Sequence, residues 1–172
     1  MKLTLVSVFL FLTACSTLVP GFKSFTVPYI EPEGGTTTRV QVITDEIVKL
    51  MPDRSCIDWN APGTGIVAAR SFGPGNDKTL NDRKLGMPSN GDIKKVSEVY
   101  VKSGAPLVII YNAGGCEIAA TFISEPNTDY QILSGINRGS CTMALSKIAR
   151  DNSTGKVVYL PVKLEKAKRC DN

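Results

Sequence analysis

From Thr37 to Leu164 apolar residues return at every second position in short runs, each broken by Gly, Pro, Asn or Asp after roughly 8 to 12 residues. Alternate side chains of an extended strand point to opposite faces, so such a run makes a strand with one buried face. No sustained helical period competes with it. In residues 37–44 Val40 and Val42 alternate with Arg39 and Gln41, and the Asp45-Glu46 turn predicts a hairpin with residues 47–51. Residues 65–72 read as another strand. Residues 96–102 and 107–112 flank the turn Ser103-Gly104-Ala105-Pro106 and predict a second hairpin. Residues 116–124, 130–134, 141–148 and 156–164 complete the set, with Pro161 marking the last as an edge or a bulge. The expected fold is all-β: an antiparallel sandwich of about seven to nine strands, immunoglobulin-like or related.

Four cysteines lie in this region: Cys56, Cys116, Cys141 and Cys170. An even number in an exported chain reads as two disulfides. Cys116 and Cys141 both begin strands on the apolar side, which makes Cys116–Cys141 the preferred bridge and leaves Cys56–Cys170. Four cysteines allow three connectivities, and the other two stay open. A metal site has little to recommend it, because the chain contains no histidine and no CxxC pair. Trp59, close to Cys56, is expected to pack over a disulfide or close a core, with a ligand platform as the alternative.

Residues 73–92 (GPGNDKTLNDRKLGMPSNGD) hold few apolar side chains and much Gly, Pro, Asn and Asp. A long surface loop of this kind is where partner contact is expected, with Asn76, Lys78, Arg83, Lys84 and Met87, beside Trp59, as candidates. It contains no GxxxxGK[ST] phosphate cradle.

The amino terminus sets the address. Met1 and Lys2 precede the apolar run 3–12 (LTLVSVFLFL) and the small residue Ala14, the pattern of a secretory signal. A bilayer-spanning helix needs ~20 apolar residues, more than this run holds. Leu12-Thr13-Ala14-Cys15 resembles the lipobox of bacterial lipoproteins. That resemblance implies cleavage before Cys15, acyl chains on its thiol and its new amine, and an anchor far firmer than one chain gives. Ser16, where an aspartate would signal inner-membrane retention, implies sorting to the outer membrane and a periplasmic domain. Residues 1–14 are then a signal peptide, 15–35 a lipid-anchored tether rich in Pro and Gly, and 36–172 the sandwich. The arrangement of SGAPL, EPNTDYQI and VYLPV between strands and cysteines, over residues 37–164, also resembles small proteobacterial lipoproteins with a disulfide-containing β-sandwich domain. Such families supply no catalytic residues to carry over.

Lys and Arg total 20 against 16 Asp and Glu, a formal charge of +4, spread without a long basic run, so nucleic acid is not an expected partner. Without histidine the usual base for a Ser or Cys nucleophile is missing. Ser146-Lys147 and Lys102-Ser103 are adjacent in strands and so point to opposite faces. Asp45, Glu46, Asp53, Asp58, Glu98, Glu117, Glu125 and Asp129 fall in turns or on polar strand faces, where solvated charge is expected. No catalytic residue and no cofactor is therefore assigned. The expected function is a lipoprotein of the outer membrane acting by protein binding or envelope structure, with its acyl chains in the membrane and a protein of the envelope as partner. An immunity or inhibitor lipoprotein that neutralises a toxin is the alternative, and an envelope-acting hydrolase the second.

Overall fold

The computed structural model describes residues 27–69, 83–91 and 96–171. Two sheets of five strands each face one another. The front sheet contains β1 (Thr37–Thr44), β4 (Ser97–Lys102), β7 (Asp129–Asn137), β8 (Ser140–Arg150) and β9 (Val157–Val162), in the order β4-β1-β7-β8-β9. The back sheet contains β2 (Ile47–Pro52), β3 (Gly65–Ala68), β5 (Pro106–Ala113), β6 (Cys116–Ile123) and β10 (Glu165–Lys166), in the order β10-β6-β5-β2-β3.

The alternation seen in the sequence becomes the core between the sheets. Val40 and Val42 of β1, Val99 and Val101 of β4, and Tyr130 and Ile132 of β7 meet Val48 and Leu50 of β2, Leu107, Ile109 and Tyr111 of β5, and Phe122 of β6. The rings of Phe122 and Tyr130 lie 5.2 Å apart at 59°, a tilted pair across the sandwich. Cys116 of β6 and Cys141 of β8 are bonded from one sheet to the other, with Cα atoms 6.1 Å apart. Residues 107–111 are buried on both faces of β5, because the back sheet is covered on its outer side as well.

Several expectations about the order of strands are corrected. β1 and β2 do not form a hairpin, and neither do β4 and β5, since in each case the turn carries the chain from the front sheet to the back. The first crossing is held by Asp45, whose carboxylate accepts Tyr111 Oη at 2.7 Å and Ile136 N at 2.9 Å. One donor belongs to each sheet, so Asp45 staples them. Hydrogen bonding to Asp45, after burial itself, holds the Tyr111 phenol above its ordinary pKa. True hairpins join β5 to β6, β7 to β8 and β8 to β9. The β7–β8 loop is the pair Arg138-Gly139, both with positive φ (49° and 79°), the geometry that matches strand twist in a two-residue turn.

Nor is the sandwich wholly antiparallel. β1 runs parallel to β7, with Val40 beside Tyr130 and Val42 beside Ile132. Among the described residues there are ten strands, against the expected seven to nine or so, one of them the two-residue β10. β3 ends at Ala68, Ala69 follows it outside the strand, and residues 70–72 of its predicted extent lie outside the described residues.

The segment expected as tether joins the domain from Val27 onward. Ile66 N donates to Val27 O at 2.9 Å and Tyr29 N to Ile66 O at 3.0 Å, while Tyr29 itself is buried in the core. Gly65 allows the approach, since a Cβ there would collide with the Pro28 carbonyl. The same segment reaches β4, where Tyr29 Oη donates to Tyr100 O at 3.2 Å and Glu31 accepts Tyr100 N at 2.9 Å. It thereby closes the β3–β4 side of the sandwich. Residues 163 and 164 close the opposite side by leading from β9 to β10, with Leu164 packed on the core.

Candidate functional site

Both sheets have covered outer faces, and most of the candidate residues fall there. On the back sheet Met51, Val108 and Ile110 point outward beneath Ile57, Trp59 and Ala167. The segment around Trp59 is tied to the C-terminal tail: Ile57 N donates to Lys168 O at 2.7 Å, and Cys56 bonds to Cys170 with Cα atoms 5.0 Å apart. Trp59 is half-buried and lies over Lys49, whose Nζ is 5.0 Å from the ring centroid. Lys49 is 1% exposed, and burial lowers its pKa against the opposing pull of Glu117. Trp59 is thus the cover of a small second core.

On the front sheet the covering element is residues 83–91, which run across the outer face from β4 to β9 without joining the ladder. Arg83 O accepts from Glu98 N at 3.0 Å, and at the far end Asn90 Nδ2 donates to Val157 O at 2.7 Å. Between these ends the Glu98 carboxylate accepts the amides of Leu85 and Met87, the latter at 3.3 Å, and Gln41 Nε2 at 3.0 Å. Gln131 Nε2 extends the row to Gln41 Oε1 at 2.8 Å. Glu98 is 3% exposed, so here the expectation of a solvated carboxylate is corrected. Its acceptor capacity is spent on a strap whose extended amides have no sheet partner. Met87 is the strap's plug, buried against Ile148, Val157 and Tyr159.

Of the loop candidates, Asn76 and Lys78 lie outside the described residues, as does Cys15. Arg83 and Lys84 are exposed at the start of the strap, and Arg83 is ion-paired to Glu31 at 2.7 Å. Met87 presents almost no surface, and the structure does not bring it together with Trp59, which sits on the other sheet. Sequence reasoning misread Glu98 as solvated and gave Gln41 and Lys49 no part in a site. A faint signal existed for the strap: Met87-Pro88 is an apolar residue beside a stiff one inside an otherwise polar loop.

Beside the strap, Thr37, Thr38, Arg39, Tyr100, Asn127, Thr128 and Asp129 line an open recess of about 350 Å³. Its centre is a two-pronged ion pair, Arg39 Nε to Asp129 Oδ1 at 2.8 Å and Nη2 to Oδ2 at 2.6 Å, which raises the pKa of Arg39. Hydroxyls and an amide at the rim suit hydrogen bonding to a polar surface. Among the described residues no three His, Cys, Asp or Glu side chains gather as metal ligands. Comparison with known protein families, with curated proteins and with solved structures gives no match to this chain.

Proposed function

We propose that this chain is a lipid-anchored lipoprotein of the bacterial outer membrane, an immunoglobulin-like or related sandwich that works in the periplasm by binding protein rather than by catalysis. The carrying observation is Leu12-Thr13-Ala14-Cys15 directly after the short apolar run. Two disulfides in so small a domain favour an oxidising compartment. Both outer faces are covered by segments that offer backbone and side chains for contact. An inhibitor of a periplasmic toxin is one form of this reading.

Cys15→Ala tests it. Metabolic labelling with a fatty-acid probe is expected to mark the natural chain and not the variant, and the variant is expected to accumulate as precursor with residues 1–14 attached. Labelling of the variant, or its normal processing and membrane retention, overturns the anchor at Cys15.

A further inference from the structure

At the β4 end of the front sheet the register gathers polar side chains on one outward face. Arg39 of β1 lies opposite Tyr100 of β4 on one side and beside Asp129 of β7 on the other, and Thr37, two residues earlier in β1, keeps to the same face. Asn127, exposed in the turn that enters β7, completes the rim of the recess these residues line. Among the described residues the Tyr100 hydroxyl, the Thr37 hydroxyl and the Asn127 carboxamide make no hydrogen bond. Unspent donors and acceptors that converge on one concave surface are what a ligand site offers. The charges lining it are Arg39 and Asp129, which cancel in their two-pronged pair. Cations flanking it in β4 and the strap are paired as well, Lys102 with Asp53 at 3.2 Å and Arg83 with Glu31 at 2.7 Å.

Such a surface selects against ions and for hydroxyls. An anion would have to displace Asp129 from Arg39, and a cation the reverse. Each Asp129 oxygen accepts one N–H from Arg39 and keeps lone pairs to spare, while Arg39 keeps N–H groups beyond those on Asp129 and the one directed at Leu85 O at 3.5 Å. The two side chains of the pair are 32% and 18% exposed, so these groups can be reached. Acceptor and donor thus stand side by side with no net charge, and a sugar hydroxyl, which both gives and takes a hydrogen bond, matches them. Half-buried Tyr100 adds an aromatic face for the C–H groups of a pyranose ring. A peptide strand finds no main chain to pair with here. β1 is bonded along both edges, and on the free edge of β4 Glu98 N donates to Arg83 O, Tyr100 N to Glu31 Oε1, and Tyr100 O accepts from Tyr29 Oη. A volume of about 350 Å³, at the small end of the ~300 to 1,000 Å³ usual for ligand sites, holds the end of an oligosaccharide and not a long stretch of it.

We infer that this recess binds the end of a neutral oligosaccharide, with Arg39 and Asp129 bonded to its hydroxyls, Tyr100 against a ring, and Thr37 and Asn127 at the rim. The site adds a ligand to the protein-binding reading and does not rest on it or on Cys15. Amide spectra of the isotopically labelled full chain in dodecylphosphocholine micelles are followed as chitotetraose, maltotetraose or acidic oligogalacturonate is added. A neutral sugar is expected to move the amides of Arg39, Tyr100 and Asp129 saturably at roughly millimolar concentration, and to leave Met51 and Ile110 on the back sheet in place. Response to chitotetraose assigns an amino-sugar polymer, and response to maltotetraose a plain hexose glycan. Binding is expected to hold from about 0.05 to about 0.5 M salt, since no net charge is screened. Tyr100→Ala is expected to weaken it by ~10-fold, with Tyr100→Phe keeping most of the affinity. Asn127→Asp, at an exposed turn position that either residue can occupy, is expected to weaken it at an unchanged melting temperature, which separates loss of the site from loss of the fold. Neutral sugars that leave Arg39, Tyr100 and Asp129 unmoved overturn the proposal. So does a response confined to oligogalacturonate and abolished by salt, which assigns an anion site, and so does full affinity in a folded Tyr100→Ala variant.

Discussion

On the outer face of the back sheet Lys49 lies under Trp59, and the covering segment is locked to the C-terminal tail by Cys56–Cys170. On the outer face of the front sheet Glu98 lies under residues 83–91, and in that strap hydrogen bonds, Met87 and the surface pair Arg83–Glu31 do the holding. Each face hides one charge, and the two charges play opposite parts. Glu98 gains acceptor bonds from the very segment that buries it, so its charge and the strap depend on each other. Lys49 is buried by an aromatic ring, with desolvation working against its charge. The lid of the back sheet stays on through a covalent link, apolar packing and the Ala167–Ala119 backbone bond, while the strap of the front sheet depends on a buried carboxylate beside Met87 and a surface ion pair.

Breaking the covalent side has the largest expected effect. Cys56→Ser with Cys170→Ser removes a link between residues 114 apart and is expected to cost ~2 to 5 kcal/mol in urea unfolding. Amide exchange should accelerate at Ile57 and Ala167 and stay slow at Leu85 and Met87. Equal acceleration on both faces would show that the two covers are one unit.

Next comes Glu98→Ala, which leaves the Leu85 and Met87 amides without an acceptor and is expected to cost ~1 to 3 kcal/mol. Exchange at those two amides should then be the fastest among the strap's neighbours, with Glu98→Gln intermediate because it keeps one acceptor. Slow exchange at Leu85 and Met87 in the alanine variant would show that Met87 alone seats the strap. Smallest is Lys49→Met, which keeps the volume and removes a poorly solvated charge. Its melting point is expected to stay within the equivalent of ~1 kcal/mol or to rise. A loss as large as that of Glu98→Ala would place Lys49 in the same holding role as Glu98.

Strand positions were legible because period two is a local property, visible in Val40 and Val42 or in Ile118, Ala120 and Phe122 without knowledge of the rest of the chain. Strand neighbours were not. The turn at Asp45-Glu46 has the residues of a hairpin, yet what takes the chain to the other sheet is Asp45 meeting Tyr111 and Ile136, residues 66 and 91 positions away. The parallel pairing of β1 with β7 likewise leaves no trace in either strand alone. In the candidate site, the apolar faces of Cys116 and Cys141 pointed to their pairing, and the closeness of Trp59 to Cys56 pointed to its packing. Glu98 was misread because a carboxylate on a polar strand face is solvated unless something crosses it. The crossing segment looked like an ordinary loop.

The pairing of β1 with β7 has a consequence for the order in which this chain can become a protein. β1 lies between β4 and β7 in the front sheet, so its two neighbours are strands that begin at Ser97 and Asp129. Cys56 finds its partner only at Cys170. A chain emerging amino-terminus first therefore carries β1 without its two sheet neighbours until residues 97–137 have appeared, and such non-local pairing closes slowly. Assembly of the front sheet is thereby held back until β4 and β7 are both available, and the covalent lock on the back sheet waits further for Cys170.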